Sequence, residues 1–284
     1  MISVVIPVYN EEDGILETIQ GLEKALAGVD HELIVVDDGS SDATVEIVKS
    51  IKGVTLVHHP ENRGYGASLK TGMRKAAGEW ILTIDADASY PTDAIPGIIG
   101  EFEDYDMVVG SRVGEDVNIE SYRRPAKWIL SRLADYLSGT HIPDLNSGLR
   151  AFKKQVATDF ANLLPSGFSF TTTLTLAMLC NDHPVKYVPI NYHQRMGKSK
   201  IKPFRDGVNF MLLIVRTITY FNPLKVFLPA STLLFILSFL VFAYTRFIMG
   251  MLMDVSVIIL FVAAVQTAVI GLLADLIVRK RDVR

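Results

Sequence analysis

A chain of 284 residues has room for one large domain and an addition to it. A formal net charge of −3 argues against nucleic acid as the main partner, and a single cysteine, Cys180, excludes an internal disulfide and fits a reducing compartment. Mean hydropathy is +0.29, high for a soluble protein, and the apolar excess is concentrated in the last quarter of the chain.

Residues 3–8, SVVIPV, read as a first strand with Pro7 near its end. The run is too short and lacks the basic leader of a secretory signal, and it continues into Glu11-Glu12-Asp13, so this part of the chain is expected to stay in the cytoplasm. Asn10 is a plausible cap for a helix carrying Ile15, Ile19, Leu22 and Leu26 at helical spacing. A second strand, Glu32 to Val36, stops at Asp37-Asp38-Gly39-Ser40. Ser41 or Asp42 then stands as cap for a helix with Val45 and Val48 turned inward, and Val54 to Val57 forms a third strand. His31 sits in a polar loop, and the neighbours of Cys180 suggest a buried thiol.

Asn62-Arg63-Gly64-Tyr65-Gly66 opens a helix through Ala67 to Ala77. The next strand, Trp80 to Ile84, ends abruptly in Asp85-Ala86-Asp87. Residues two apart on an extended segment point the same way, so Asp85 and Asp87 share one site. Adjacent carboxylates repel and favour water or a cation, and a divalent ion that also holds a diphosphate would supply that partner. The competing reading is a turn whose aspartates cap the helix before Pro91 and Pro96. Further strands follow at Asp106 to Gly110, leading into Ser111-Arg112, and at Lys186 to Ile190; residues 144–150 read as a loop entering a strand. Strands alternating with helices of 10–15 residues predict an α/β fold with a mostly parallel, Rossmann-like sheet. Three strands ending in polar clusters, Tyr9-Asn10-Glu11, Asp37-Asp38 and Asp85-Ala86-Asp87, build one pocket edge at the carboxyl ends of the strands.

From Pro203 the character changes. Phe204 to Phe221 is apolar but carries Arg205, Asp206 and Arg216, and reads as an amphipathic interfacial helix within 203–223, with a core helix as the alternative. Spans at about 226–247 and 255–278 are each long enough to cross about 30 Å of hydrocarbon. They form a transmembrane hairpin within 224–284. Its turn carries only Arg246, while Lys225, Arg216 and the basic tail Arg279-Lys280-Arg281 flank it, so both termini and the 1–202 domain are expected on the cytoplasmic side of the cytoplasmic membrane. The hairpin could pack against copies of itself as a homo-oligomer, though it has no compelling small-residue motif.

Gly64-x-Gly66 lacks the third glycine of a dinucleotide fingerprint, since position 69 is leucine, and no P-loop pattern exists. The glycine pair either lets backbone approach a ligand or makes a tight loop-to-helix turn. The histidines show no zinc-ligand spacing, and there is no G-x-S-x-G elbow. Arg112, Arg132, Arg150, Arg195 and Lys200 each read singly as a solvated surface charge. Their placement after strands that end near the pocket favours contact with an anionic ligand.

Val5-Ile6-Pro7-Val8-Tyr9-Asn10-Glu11-Glu12, Val35 through Asp42, the Asp85-Ala86-Asp87 pair, Gly110-Ser111-Arg112, Asn146 through Arg150 and Arg195-x-Gly197-x-Ser199-Lys200 together resemble family-2 glycosyltransferases. The last three resemble the branch acting on polyprenyl phosphates, the dolichyl-phosphate mannose synthases and bacterial polyprenyl-phosphate glucosyltransferases. The resemblance implies a GT-A fold over about residues 2–202 and inverting transfer of a hexose from GDP-mannose, UDP-glucose or UDP-N-acetylglucosamine to dolichyl or undecaprenyl phosphate, the product serving cell-envelope or protein glycosylation. It implies that Pro7, Tyr9, Glu11 and Asp37, with Gly64 beside them, hold the nucleotide-sugar, and that Asp85 and Asp87 hold Mg²⁺ or Mn²⁺ on the diphosphate. Arg112, Arg132, Ser147, Arg195 and Lys200 would gather the acceptor and donor phosphates. Ser89 departs from the family pattern, where glutamine is common, and would be a poorer metal ligand.

The second pKa of a phosphate monoester is about 6, so such an acceptor is largely a dianion at neutral pH and needs little help from a base. Asp144 is the one base candidate, with loop capping as its other reading. The rival functions are a processive polysaccharide synthase, which would carry more spans and a Gln-x-x-Arg-Trp segment, and a non-catalytic membrane adaptor that binds nucleotide-sugars.

Overall fold

The computed structural model describes residues 1–112, 132–136, 138–192, 212, 214–250 and 255–282. Their strands are β1 (Ile2–Val8), β2 (His31–Asp37), β3 (Val54–His58), β4 (Trp80–Thr83), β5 (Met107–Arg112), β6 (Arg150–Lys153) and β7 (Val185–Ile190). Their labelled helices are α1 (Ile15–Ala25), α2 (Thr44–Ser50), α3 (Tyr65–Lys75), α4 (Ile95–Ile99), α5 (Lys154–Asp159), α6 (Phe170–Cys180), α7 (Leu224–Phe247) and α8 (Val255–Asp282). The strands form one sheet in the order β3-β2-β1-β4-β6-β5-β7. All pairings are parallel except those of β6, which runs antiparallel to both β4 and β5.

Both faces of the sheet are covered, as a parallel sheet requires. On β1, Val4, Ile6 and Val8 cluster with Ile15, Ile19 and Leu22 of α1. Val5 joins Leu69 and Met73 of α3 and Phe170 and Leu174 of α6 on the other side. That alternation is the two-residue period of a strand, and each fully buried aliphatic side chain contributes roughly 1.5–3 kcal/mol.

Three local expectations are corrected. Asn10 does not cap α1, which begins at Ile15 after Gly14. It adopts a left-handed φ of 53°, and its side-chain oxygen accepts from the Ser41 N–H at 2.8 Å, tying the first loop to the second. In α2 the inward residues are Thr44 and Val48, not Val45. The Thr44 hydroxyl donates to Asp42 at 2.6 Å and accepts from the Glu11 N–H at 2.9 Å, so a polar residue is buried because it joins two loops. His31 opens β2 rather than lying in a loop. Cys180 is partly buried at the end of α6, and burial pushes its thiol up to about 11, so it stays protonated and unreactive.

Of the expected interfacial helix, residues 212 and 214–223 are described, and 212 and 214–221 are helical. Ile214 and Ile218 are fully buried against Ala134, Ile142 and Leu176, with Val226 of α7 packed on the same cluster. This small core fixes the base of α7 to the sheet domain. Leu224–Phe247 and Val255–Val278 are each long and apolar enough to cross a membrane, and only 11% of each is buried inside the protein. A soluble core helix would be mostly covered, so these faces require another apolar medium. The two helices are joined by hydrogen bonds as well as packing: Ser231 Oγ donates to the Ala264 carbonyl at 2.8 Å and Ser238 Oγ to that of Val257 at 3.0 Å.

Candidate active site

The carboxyl ends of β1, β2, β4 and β5 lie at one edge of the sheet. Because β6 is antiparallel, with Arg150 opposite both Thr83 and Val109, its entry loop, residues 144–149, emerges at that same edge. One strand direction therefore brings the 144–149 segment beside the Asp85/Asp87 turn.

The first two loops are bound to each other. Besides the Asn10 bond to Ser41, the Asn10 N–H donates to Ser40 Oγ at 2.9 Å and the Ala43 N–H to Glu12 at 2.9 Å. Pro7 is buried in β1 opposite Val36, beyond the last β1–β4 pair, and Tyr9 and Glu11 are partly exposed at the pocket edge. Asp37 is fully buried; its carboxylate accepts from the Gly39 and Ser40 N–H groups and lies 2.7 Å from His58 Nδ1. Asp37 thus shapes the loop from beneath rather than presenting a free carboxylate to a nucleoside.

Asp38 was not among the expected site residues, yet it anchors this side. It accepts from the N–H groups of Arg63 (3.0 Å) and Gly64 (2.8 Å) and lies 2.7 Å from His59 Nδ1, whose Nε2 is 3.1 Å from Thr71 Oγ1. Burial works against the charge, but the bonds from His59, Arg63 and Gly64 outweigh it and lower the Asp38 pKa. A signal for this exists in the sequence: two aspartates at the end of β2 stand 21 positions before two histidines at the end of β3.

The Gly64 N–H is given to Asp38 and its carbonyl accepts from Ala67. It has φ of 98°, and a Cβ there would stand 2.6 Å from the Ser166 carbonyl; at Gly66 one would stand 2.3 Å from that of Pro165. Both glycines accommodate the 165–167 loop.

Asp85 is partly exposed and accepts a hydrogen bond from the Tyr65 hydroxyl at 2.9 Å. Gly148 lies so close that a Cβ would sit 2.5 Å from Asp85 Oδ2, which makes the absence of a side chain there a requirement of the carboxylate's position. The Gly148 N–H donates to the Tyr90 hydroxyl at 2.7 Å. Burial and the Asp85 charge raise the pKa of both Tyr65 and Tyr90, so both phenols remain protonated. Asp87 is 4% exposed, and its Oδ1 accepts from the Ser89 N–H at 3.2 Å and from the Ser89 hydroxyl. Ser89 therefore steadies Asp87. The pair offers hard oxygen donors, and among the described residues no group of three His, Cys, Asp or Glu forms a complete metal cage. Two carboxylates with the remaining positions left to phosphate and water are a donor set that Mg²⁺ or Mn²⁺ accepts.

Across the 144–149 loop, Arg112 Nε donates to Asp144 Oδ2 at 2.6 Å and Nη2 to Oδ1 at 2.8 Å. The guanidinium also lies 5.4 Å from the centre of the Tyr192 ring. Burial opposes both charges, but the paired hydrogen bonds raise the Arg112 pKa and lower that of Asp144. A carboxylate held ionised by a two-pronged arginine is a weakened proton acceptor, and the pairing orients the Arg112 guanidinium.

Ser147 is fully buried, and its hydroxyl donates to the Gly110 carbonyl at 2.6 Å, bracing the loop against β5. Arg150 is also fully buried, not a surface charge: it donates to the carbonyls of Ser147 and Thr171 and to Thr175 Oγ1, fastening the loop to α6. Arg132 stands on residues 132–136, beside a depression of about 650 Å³ shared with Asp135, Tyr136, Gly139, Thr140 and His141. None of those neighbours belongs to the Asp85/Asp87 turn or the Arg112–Asp144 pair. Arg195 and Lys200 lie outside the described residues.

Known proteins resemble this chain in sequence and in fold. The model of "Glycosyl transferase family 2" matches residues 3–160, and that of "GtrB C-terminal hairpin" matches residues 222–279. A dolichyl-phosphate hexose transferase of Haloferax volcanii is 27% identical over 217 residues, covering 76% of this chain and 92% of that protein. An undecaprenyl-phosphate 4-deoxy-4-formamido-L-arabinose transferase of Pseudomonas fluorescens is 29% identical over 235 residues, 77% of this chain; the match spans 65% of that longer protein. The crystal structure of glucosyl-3-phosphoglycerate synthase from Mycobacterium tuberculosis with Mn²⁺, UDP-glucose and phosphoglyceric acid superposes with a TM-score of 0.63 at 21% identity, over 77% of this chain and 79% of that one. At that identity the likeness speaks for the fold alone, and it makes the mostly parallel mixed sheet a GT-A fold. With a matching model over more than half of its length and the two-carboxylate turn at the expected sheet edge, the chain belongs to glycosyl transferase family 2.

Proposed function

We propose that this protein transfers a hexose from a nucleotide-sugar to a polyprenyl phosphate, with Mg²⁺ or Mn²⁺ at Asp85 and Asp87. The observation that carries the reading is the short loop between the Arg112–Asp144 pair and Gly148, which lies against Asp85, in a chain that ends in a hairpin able to cross a membrane. Relatives named as dolichyl- and undecaprenyl-phosphate sugar transferases support the acceptor class.

The chemistry fits these residues. The acceptor phosphate, with a second pKa of about 6, supplies its own nucleophilic oxygen at neutral pH. No base is required, in keeping with an Asp144 committed to Arg112. The obstacle is the approach of one phosphate to another, and the Arg112 guanidinium, held ionised, offsets that repulsion. Asp85 and Asp87 would hold the divalent ion, which when bound neutralises charge on the departing nucleoside diphosphate. The Tyr65 and Ser89 hydrogen bonds fix those carboxylates beforehand, so little rearrangement remains at the moment of reaction.

We place the sheet domain and both termini in the cytoplasm, on the strength of Lys225 and Arg279-Lys280-Arg281 beside the spans. In this reading 1–202 is the catalytic unit, 203–223 lies at the interface and 224–284 is the anchor. Pro7, Tyr9 and Glu11 line the nucleotide side, above the loop that Asp37 shapes, and Arg132, Arg195 and Lys200 complete the basic set.

Loss of the carboxylate pair is the direct test. Asp87→Asn should reduce transfer at least about a hundredfold, the scale expected when a charge-stabilising group is removed. The variant should still insert into membranes and keep its thermal unfolding midpoint in detergent. Wild-type rates in that variant would overturn the assignment.

A further inference from the structure

We propose that the Asn146 side-chain amide is a contact for the acceptor phosphate, held in place by Thr172; this rests on the acceptor class argued above. Along the loop entering β6, Ser147, Gly148 and Leu149 turn inward, while Asn146 is exposed. Its backbone N–H donates to Asp144 Oδ1 at 3.1 Å, the carboxylate that also takes both prongs of Arg112. Its side-chain oxygen accepts from the hydroxyl of Thr172, a fully buried residue in the first turn of α6. With its oxygen engaged, the amide NH₂ and its two donors are the part of this exposed side chain open to a ligand.

The position is bracketed on both sides. Asp144, two residues before, holds Arg112; Gly148, two residues after, lies against Asp85. Four residues of chain span at most about 14 Å even fully extended, so Asn146 is within reach of any phosphate lying between the guanidinium and the carboxylate turn. A neutral amide suits an attacking phosphate: it orients the oxygens by hydrogen bonds while drawing away less of their charge than a further cation would. Ser147, the neighbouring hydroxyl, has no comparable access, since it is spent on Gly110.

The test uses the full-length protein in detergent, a short-chain polyprenyl phosphate and a labelled nucleotide-sugar, each varied at saturating levels of the other. Asn146→Ala should raise the KM for polyprenyl phosphate about tenfold, the loss of one hydrogen bond to a charged group, and move the KM for the donor less than about twofold. Asn146→Asp should be worse, because a carboxylate repels the acceptor. Thr172→Val should raise the acceptor KM to an intermediate value, and Thr172→Ser should restore it, which a merely structural role for Asn146 would not produce. An unchanged acceptor KM in Asn146→Ala beside an active wild type overturns this inference alone, as does an equal rise in both KM values. A wild type that transfers to no polyprenyl phosphate overturns the functional reading and this inference with it.

Discussion

The Arg112–Asp144 pair shows how a contact across 32 positions sets the task of a residue. Read along the chain, Asp144 is a loop aspartate open to capping or base chemistry; in the fold, both of its oxygens are taken by one guanidinium. Asp144→Asn leaves a largely buried arginine without its counter-charge and should destabilise the protein by about 3 kcal/mol, measured as thermal unfolding in detergent. The pH dependence has a definite sign. The folded pKa of Asp144 is lowered, so its contribution is present above the unfolded value of about 4 and is lost as pH falls through the folded one. Below about pH 4 the gap between wild type and Asp144→Asn should therefore narrow. The placement of the carboxylate pair and Arg112 at one sheet edge was legible in the sequence because each follows a strand that ends there. The burial of Ser147 and the exposure of Asn146 were not, because which of two neighbours turns inward depends on the phase in which the loop enters β6. Arg150 was misread for a similar reason: only tertiary carbonyls can satisfy a fully buried guanidinium, and they come from distant residues.

At the scale of elements, hydrophobic patterning located the strands and most helices to within a few residues, since buried strands and amphipathic helices carry their own periods. It placed β6 but not its direction, which depends on partners β4 and β5. That antiparallel strand is what carries the 144–149 loop to the same edge as the Asp85/Asp87 turn. The start of α1 was misplaced because Asn10 is drawn to Ser41 across 31 positions instead of to the next helical turn. The glycines at the head of α3 are explained by the neighbouring 165–167 loop. Gly66→Ala would set a Cβ 2.3 Å from a backbone oxygen that cannot rotate away. It should cost about 1–3 kcal/mol of stability, read from thermal unfolding, with Gly28→Ala unsuitable as a control because that glycine has a positive φ of its own.

For the whole molecule, the small core of Ile214, Ile218, Leu176 and Val226 joins the sheet domain to the base of the hairpin. On the proposed reading the acceptor is lipid-linked and extends only a limited distance from the bilayer, and this junction would keep the pocket beside it. Length and hydropathy made the hairpin plain in the sequence. The junction was less visible, because its members come from residues 134 to 226 and cluster only after folding. The account stands or falls on the acceptor. Purified protein in detergent, given a short polyprenyl phosphate, Mg²⁺ or Mn²⁺ and a panel of labelled nucleotide-sugars, should place label in the organic-solvent extract from one donor, and a chelator should abolish it. No lipid-linked label from any donor, or label found only in a polymer fraction, would contradict it.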